Sequence, residues 1–468
     1  MKYSIQEILA AGRGTWPDAP EELFIDGYSL DSRSIKPGEL FFAFEGDVQD
    51  GHKYVENAFE NGACAAFVRH GFKRADGSEK DLIFCDDGLK SLHALASWSR
   101  DEAGLKIIGI TGSCGKTTTK DILAGILPSS LKVSKNEGNL NNIWGLPIAL
   151  LRRPEGQEIY VCEMGMSYAG ELSQVTAIAR PECAVFTNIA AVHLVNFNSV
   201  EEIAEAKAEL LEGLKAGSPV VANADDDEVM RISRRSGFPM FTYGIEKSAE
   251  LMVENIEDCG IDGTKFVLCH PGGRSTVQFN LPGIHNIYNL LAAVGAGITF
   301  NCDIDEMIER LHNIELSPFR SKIENFESGL TLFDDAYNSN PPALKFVMET
   351  FVNSNRFKRK IAVLGDMLEL GPGEVEAHRD SGAEIAKMGL DLLITVGPLA
   401  AEMADAAGKN GMNSSKITSL ETSAQAIPVL LDSLRPQDLV LVKGSRGVKM
   451  ESIVEAIRDN QNNMENRV

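Results

Sequence analysis

The stretch KIIGITGSCGKTTTK, at residues 106–120, decides the fold of this 468-residue chain. It starts as an apolar strand, passes through a glycine-containing loop and continues into the helical pattern DILAGIL. Glycines allow a loop to curl so that its backbone amides point at phosphate oxygens, and the helix N-terminus that follows adds partial positive charge. The pattern therefore predicts a phosphate-binding loop between a strand and a helix.

Within this loop, Lys116 is expected to reach the β- and γ-phosphates of a nucleotide, and Thr117 or Thr118 to offer a hydroxyl to Mg²⁺. The common loop has glycine five residues before Gly115, where this chain has Ile110, so the loop is a variant. The alternative is a glycine-rich turn beside an exposed lysine, which the strand–loop–helix context disfavours. The expected nucleotide-binding residues of the loop are Thr111, Gly112, Ser113, Cys114, Gly115, Lys116, Thr117 and Thr118.

Strands and helices alternate outward from the loop. Residues 1–100 mix short strands, turns and helices, whereas residues 101–312 alternate strand with helix, which predicts a parallel sheet covered on both faces. Residues 313–468 alternate again and form a separate α/β unit. A chain of this length suggests about three domains of roughly 150 residues. We therefore predict an α/β protein of three domains with these bounds.

Composition excludes several classes of protein. Lys and Arg number 45 against 67 Asp and Glu, so the net charge of −22 argues against a nucleic-acid or anionic-membrane binder. No stretch approaches the roughly 18 apolar residues of a membrane span. The N-terminus lacks the basic start and apolar stretch of a secretory signal, and the eight scattered cysteines form no CxxC pair. We expect a cytoplasmic protein with reduced thiols.

Two polar residues follow apolar strand patterns after the loop. Glu163 ends EIYVCEM, and a carboxylate at a strand end one strand from a phosphate loop is placed to hold a metal. His193 is the last residue of CAVFTNIAAVH (183–193) and is expected on the same edge. Two roles are open for it: binding a metal or phosphate, or a purely structural role. Taken alone, a glutamate in this position is more often a solvated rim residue.

Lys207 lies on the apolar face of a predicted helix at residues 199–214. Ser199 and Glu202 form a capping-box pattern at its start, and Lys207 comes four residues after the apolar Ile203. The side chain could pack its stem and extend its amine to water. Alternatively, an enclosed amine has a depressed pKa and can react with CO₂ to give a carbamate, a carboxylate-like ligand for Mg²⁺.

Further polar groups follow in the third predicted domain and just before it. GIHNIYN (283–289) places Asn286 at a helix start, where the alternative role is N-capping. Arg320 precedes a strand that ends in FDDAYNSNPP (333–342), and turn formation explains only one or two of its polar residues. A ribose or base contact would explain the rest. KGSRG (443–447) is a second possible anion pocket.

Together these segments make the sequence resemble the Mur ligase family, whose members form amides at the expense of ATP. The resemblance covers nearly the whole chain. Its motifs are DSRSIKPGELFFAFEG (31–46), TGSCGKTTTK (111–120), EGNLNNIWGLP (137–147), EMG (163–165), TNIAAVHL (187–194), AKAEL (206–210), GIHNIYN (283–289), DDAYNSNP (334–341), LGDMLELG (364–371) and KGSRG (443–447). The family implies a small N-terminal α/β domain for a UDP-containing substrate, a central P-loop ATPase domain and a C-terminal Rossmann-like domain.

Site residues are carried over motif by motif as what the resemblance implies. Ser32 and Arg33 would lie near the uridine end of the substrate. The expected substrate-binding residues also include Asn139, Asn141 and Asn142. The resemblance implies that one of these asparagines is required for function, and spacing alone does not identify which one.

The nucleotide end of the site is implied in the same way. Asn286 would contact adenine, and Arg320 and Asp335 would reach ATP from the C-terminal domain, with Asn338 close by. Glu163 and His193 would ligate or flank Mg²⁺. The expected metal ligands are Thr117, Glu163, His193 and Lys207, the last of them carbamylated. The expected catalytic residues are Lys116, Glu163, His193, Lys207 and Arg320.

The resemblance implies ATP, two Mg²⁺ ions, UDP-N-acetylmuramoyl-tripeptide and D-alanyl-D-alanine as cofactors and substrates. The expected protein is a monomer that binds no nucleic acid and inserts in no membrane. The expected reaction activates the tripeptide carboxylate as an acyl phosphate, which the dipeptide amine then attacks. Two alternatives are a sister ligase that acts on a folate or an earlier cell-wall precursor, and a P-loop ATPase that forms no bond.

Overall fold

The computed structural model describes residues 3–46, 49–191 and 196–465, with side chains as far as residue 463. His193 is outside the described residues, so its predicted role stays a prediction. Contacts divide the chain into two units, one of residues 1–111, 129–185 and 206–219, and one of residues 112–128, 186–205 and 220–468. The predicted domain bounds stay predictions.

Strands and helices alternate through most of the chain. The first part contains α1 (Ile5–Gly12), β1 (Gly27–Ser29), β2 (Glu39–Phe42), α2 (Val55–Glu60), β3 (Ala65–Arg69), β4 (Leu82–Cys85) and α3 (Gly88–Glu102). Next come β5 (Lys106–Thr111), α4 (Lys116–Ile126), β6 (Val133–Lys135), α5 (Gly145–Arg152), β7 (Ile159–Glu163), α6 (Glu171–Ala179), β8 (Cys183–Phe186) and α7 (Val200–Ala208).

The second half continues the alternation after one antiparallel stretch. It contains β9 (Val220–Asn223), α8 (Asp227–Ser236), β10 (Met240–Gly244), β11 (Leu251–Asp258), β12 (Thr264–His270), β13 (Gly273–Phe279), α9 (Ile284–Thr299) and α10 (Ile304–Glu309). The last part contains β14 (Lys322–Asn325), β15 (Thr331–Asp335), α11 (Pro341–Val352), β16 (Arg359–Gly365), α12 (Glu374–Ile385), β17 (Leu392–Val396), α13 (Pro398–Lys409), β18 (Ile417–Leu420), α14 (Ser423–Ser433), β19 (Asp438–Lys443) and α15 (Glu451–Glu465).

In the first unit, β1 to β4 form a parallel sheet in chain order. Phe41 and Val68 of this sheet pack with Val55 and Ala58 of α2 in one buried cluster. Strands β8, β5, β7 and β6 lie side by side in that order, and β7 pairs in parallel with both β5 and β6. Parallel pairing places the carboxyl ends of β5 and β7 at one edge, where Thr111 and Glu163 end them.

In the second unit, strands β9 to β13 are neighbours in chain order, with parallel pairing from β9 to β11 and antiparallel pairing from β11 to β13. The six C-terminal strands follow the order β14-β15-β19-β16-β17-β18, and only β14 is antiparallel to its neighbour. Ends of parallel strands that meet at one edge are the usual place for a ligand in an α/β sheet.

Helices cover both faces of the C-terminal sheet. Ile361 and Val363 of β16 pack into one buried cluster, whereas Ala362 and Leu364 pack into another. Alternate residues of one strand therefore enter different cores, which is why residues 361–364 of this strand are all apolar. This is the α/β class that the strand–helix alternation predicts. Among the described helices, none is both long and apolar enough to cross a bilayer.

Candidate active site

Two glycines shape the phosphate loop at residues 112–115. Gly115 precedes α4 with a φ of +84°, and a Cβ atom there would lie 2.2 Å from Oδ1 of Asn289. Gly112 has a φ of +153°, and its Cβ atom would lie 1.9 Å from Oγ1 of Thr187. A larger residue would clash at either position, so the variant loop keeps glycine where neighbours approach the backbone.

Lys116 folds back across the loop that precedes it. Its Nζ atom donates hydrogen bonds to the carbonyl oxygens of Gly112 at 2.8 Å and Ser113 at 3.3 Å. Thr117 and Thr118 follow at the start of α4 with buried side chains. The loop therefore presents its one ammonium group and the N-terminus of α4 together, a combination that binds phosphate.

Asn289 is a residue that the sequence analysis missed. Its Nδ2 atom donates to Oδ1 of Asn286 at 3.0 Å, and its own Oδ1 atom accepts from the hydroxyl of Thr119. Asn286 in turn donates to the carbonyl of Pro282 at 2.8 Å. The two asparagines are three residues apart in GIHNIYN and so lie on one face of α9, a signal the motif already contained.

Arg320 reaches the phosphate-loop helix from the segment before β14. Its Nη2 atom lies 3.5 Å from Oγ1 of Thr117, and its guanidinium lies over the ring of Tyr337 at 4.0 Å. The residues on either side, Phe319 and Ser321, have positive φ values of 61° and 44°. Left-handed backbone is costly for such residues, so the surrounding structure holds Arg320 in this position.

The buried residues Asp335 and Lys443 form one cluster with Asn338, which is itself exposed. The carboxylate of Asp335 accepts from the Lys443 ammonium and from the backbone N–H of Ser321 at 3.0 Å. The Lys443 ammonium also donates to the carbonyl of Asn338, whose side-chain Oδ1 accepts from the hydroxyl of Ser445 at 3.2 Å. Burial alone would raise the pKa of Asp335, but the Lys443 charge outweighs it and the pKa lies below its ordinary value.

Glu163 is buried at the end of β7 and is held by two asparagines. Its Oε1 atom accepts a hydrogen bond from Nδ2 of Asn141 at 2.8 Å. Its backbone N–H and C=O both bond to the side-chain amide of Asn136, at 2.8 and 3.0 Å. A buried, oriented carboxylate is a suitable oxygen ligand for Mg²⁺, whereas a solvated rim residue would be exposed.

The three asparagines of NLNN have different surroundings. Asn141 contacts Glu163, whereas the Oδ1 atom of Asn142 accepts from the backbone N–H of Trp144 and Gly145 at the start of α5. Asn139 is exposed. The structure thus singles out Asn141 as the asparagine that orients a predicted ligand. Asn136, which the sequence analysis did not consider, supports the same residue.

Lys207 is only 2% exposed near the end of α7. Its burial agrees with the enclosed-amine alternative rather than with an amine that extends to water. The helix begins as expected, because the backbone N–H of Glu202 donates to the hydroxyl of Ser199 at 3.2 Å. The Glu202 carboxylate accepts from Asn198 instead of from the backbone of Ser199.

Ser32 and Arg33 line a groove of about 680 Å³ beside β2, with Phe44, Tyr54 and other residues. The Arg33 guanidinium makes two hydrogen bonds, of 2.9 and 2.7 Å, to Asp31. These bonds lower the pKa of Asp31 to about 2. An aromatic-lined groove with a guanidinium at its edge can take a base and a diphosphate.

Within the described ranges, no three His, Cys, Asp or Glu side chains gather as a ready-made metal site. The predicted donors are of mixed kinds, namely the Glu163 carboxylate, the Thr117 hydroxyl, the modified Lys207 and the His193 imidazole, which lies outside the described residues. The strand, loop and helix at residues 106–126 define an α/β P-loop nucleotide-binding protein.

Comparison with known proteins identifies the family within this class. The Mur ligase middle domain matches residues 110–297, the Mur ligase glutamate ligase domain matches residues 320–446, and the Mur ligase family catalytic domain matches residues 24–81. The chain belongs to the Mur ligase family, which confirms the resemblance inferred from its motifs.

Several relatives share almost the full length of the chain. The UDP-N-acetylmuramoyl-tripeptide–D-alanyl-D-alanine ligase of Bacillus subtilis is 32% identical over 97% of this chain and 98% of its own length. The Escherichia coli protein of the same name is 30% identical over 94% and 95%. The crystal structure of MurF from Acinetobacter baumannii superposes with a TM-score of 0.85, at 27% identity over 97% and 98% of the two chains. MurF of Thermotoga maritima, solved in complex with ADP, gives 0.78 at 26% identity over 94% and 98%.

Proposed function

We propose that this protein is an ATP-dependent, ADP-forming ligase that joins D-alanyl-D-alanine to UDP-N-acetylmuramoyl-tripeptide. One observation carries the proposal: UDP-N-acetylmuramoyl-tripeptide–D-alanyl-D-alanine ligases align with nearly the whole chain. The phosphate loop, with a lysine at the start of a helix, supports it. The product is the UDP-linked pentapeptide for peptidoglycan synthesis. The protein acts in the cytoplasm and as a monomer.

The reaction needs activation because a carboxylate is a poor electrophile. The tripeptide carboxylate oxygen attacks the γ-phosphorus of ATP, an O–P bond forms and ADP leaves. The amine of D-alanyl-D-alanine then attacks the acyl carbon, the acyl C–O bond breaks, and phosphate and a proton are released. Two anions must meet in the first step, so the cations of Lys116 and Arg320 lower its barrier.

Mg²⁺ supplies charge neutralisation of the phosphates when bound. The buried Glu163 carboxylate and the Thr117 hydroxyl are oxygen donors of the kind Mg²⁺ prefers. His193 and Lys207 are the other proposed ligands. The Lys207 amine, when neutral, attacks CO₂ and loses a proton, which forms an N–C bond and leaves a carbamate that can bind a second Mg²⁺.

Further predicted residues bind the two nucleotide-containing substrates in this proposal. The groove at Ser32 and Arg33 takes the uridine diphosphate, and Asn141 acts by orienting Glu163. Asn286, Asp335 and Asn338 bind the nucleoside part of ATP.

An acceptor panel tests the proposed function. Phosphate release is measured with ATP, Mg²⁺ and UDP-N-acetylmuramoyl-tripeptide, together with D-alanyl-D-alanine, D-alanine, L-lysine or glutamate, and products are weighed by mass spectrometry. We expect turnover and a ligated product only with the dipeptide. Equal turnover with a single amino acid would identify a sister ligase instead. Phosphate release without ligated product would identify an ATPase.

A further inference from the structure

The phosphate loop packs against the segment Thr187–Ala190, which we call the TNIA segment. The backbone N–H of Cys114 donates to Oδ1 of Asn188 at 2.9 Å, and Nδ2 of Asn188 donates back to the carbonyl of Cys114 at 3.0 Å. One side-chain amide therefore satisfies both backbone groups of a loop residue, as a neighbouring strand would.

Other contacts make this docking specific. The backbone N–H of Ser113 donates to the carbonyl of Asn188 at 2.8 Å, and the N–H of Ala190 donates to the Ser113 hydroxyl at 2.9 Å. The hydroxyl of Thr187 donates to the carbonyl of Cys114 at 2.6 Å. Asn188 thus contributes both a backbone and a side-chain partner to the loop.

The TNIA segment is itself held firmly on its other side. Asn223, at the end of β9, donates from Nδ2 to the carbonyl of Thr187 at 3.0 Å. The carboxylate of Asp226 accepts from the N–H of Ile189 at 2.7 Å and also caps α8. The loop thus docks against a segment that the end of β9 fixes.

This docking sets the direction of the amides that face phosphate. In a trans peptide the carbonyl and the next N–H point in opposite directions. Because the Cys114 carbonyl is directed at Asn188, the N–H of Gly115 points away from the TNIA segment. By the same rule the Ser113 carbonyl points away from it, and that carbonyl accepts from the Lys116 ammonium.

We infer that Asn188 is a positioning residue for nucleotide binding: it fixes the peptide planes on both sides of Cys114, so that Gly115 and Lys116 are aimed at the phosphates before ATP arrives. Preorganised donors of this kind bind an anion without a cost of reorganisation. The inference rests on the proposed function, since it assumes that the loop binds ATP.

Nucleotide affinity of variants tests it. Asn188→Ala removes both side-chain bonds, and Asn188→Asp keeps the acceptor but loses the donor. Two bonds of about 1 kcal/mol each correspond to a loss of about tenfold or more in affinity. We expect a fluorescent ADP analogue to bind Asn188→Ala about tenfold or more weakly and Asn188→Asp, which loses one of the two bonds, about fivefold more weakly. The dissociation constant for UDP-N-acetylmuramoyl-tripeptide should stay within about twofold for both variants. Asn280→Ala, at an exposed asparagine, is the matched control.

A folded Asn188→Ala variant with wild-type ADP affinity would overturn the inference, as would equal losses for both ligands. If wild-type protein itself does not bind the ADP analogue, it is the proposed function that fails.

Hydrogen–deuterium exchange of the wild-type protein gives a test that needs no variant. The amide of Cys114 should be protected without nucleotide because it is bonded to Asn188, and rapid exchange there would contradict the inference.

Discussion

The side-chain amide of Asn141 lies 2.8 Å from the carboxylate oxygen Oε1 of Glu163, and both residues are in motifs on the same edge of the sheet. This hydrogen bond fixes the orientation of the Glu163 carboxylate at the end of β7. In metal sites, loss of a group that orients a ligand typically costs about tenfold to a hundredfold in metal affinity or activity.

Replacing Asn141 tests this relationship. We expect Asn141→Ala to lower kcat by about tenfold to a hundredfold and to raise the Mg²⁺ concentration needed for half-maximal rate, because Glu163 loses its partner. Steady-state kinetics over a Mg²⁺ titration measure both quantities. The exposed Asn139→Ala serves as the control and should behave as wild type. A similar loss in the control would show that the whole NLNN loop, rather than Asn141, matters.

Removal of the loop lysine separates nucleotide chemistry from substrate binding. We expect Lys116→Ala to reduce ATP turnover by at least about a hundredfold, since its ammonium lies against the loop carbonyls of Gly112 and Ser113 and supplies positive charge there. The affinity for the UDP-linked substrate should be unchanged, because the groove proposed for it lies in the first unit at β2. Calorimetric titration with that substrate and a phosphate-release assay check the two statements. Substantial turnover by the variant would exclude Lys116 as a catalytic residue.

Lys207 gives a prediction that involves chemical rescue. We expect Lys207→Ala to lose about a hundredfold or more of its activity, as loss of a transition-state charge stabiliser usually does. Formate or acetate should restore part of it by supplying a carboxylate in the space left. The exposed Lys215→Ala is the control. Wild-type rates for Lys207→Ala would remove its role as a ligand, and full-length mass spectra with and without bicarbonate would detect the carbamate where it survives.

Arg320 should not be replaceable by lysine. The guanidinium lies over Tyr337 and reaches Thr117, a planar arrangement that an ammonium does not reproduce. We expect both Arg320→Ala and Arg320→Lys to lower kcat/KM for ATP by about tenfold or more. Retained activity in Arg320→Lys would show that only positive charge is needed there.

The half-buried His285 makes stability depend on pH. Burial lowers the pKa of its imidazole to about 4, a shift that Asp335 opposes and Lys443 reinforces. An unfolded histidine titrates near 6.5. As the pH falls, the unfolded state therefore takes up a proton at His285 before the folded state does. The contribution of the neutral His285 to stability is fully present above about pH 6.5 and is lost as the pH falls toward 4.

Melting temperatures measured from pH 7.5 to 4.5 test this statement. We expect the wild-type Tm to fall more steeply than that of His285→Gln over this range, because glutamine does not titrate. Parallel curves for the two proteins would show that His285 is not the group responsible. Activity of both proteins at pH 7.5 controls for damage to the neighbouring Asn286.

Much of the site could be predicted from local sequence. The apolar strand, the glycines and Lys116 occur within fifteen residues, so a phosphate loop is recognisable without any tertiary information. The inward position of Lys207 followed from its spacing relative to Ile203, since helical periodicity determines which face a residue occupies. Neither prediction required knowledge of which strands are neighbours.

The remaining choices depended on contacts distant in sequence. Spacing could not select Asn141 from NLNN, because its partner Glu163 is 22 residues away. Asn188 and Asn289 were missed for the same reason, since Asn188 bonds to Cys114 of the loop, 74 residues away, and Asn289 bonds to Thr119 of α4, 170 residues away.

The sequence by itself therefore determined the α/β class, the phosphate loop and the family, because those depend on residue types at fixed short spacings. Only the tertiary structure decided which asparagine orients Glu163 and which residue aims the loop. Those roles arise where the ends of separate strands meet, and that meeting is a property of the folded sheet rather than of any one segment.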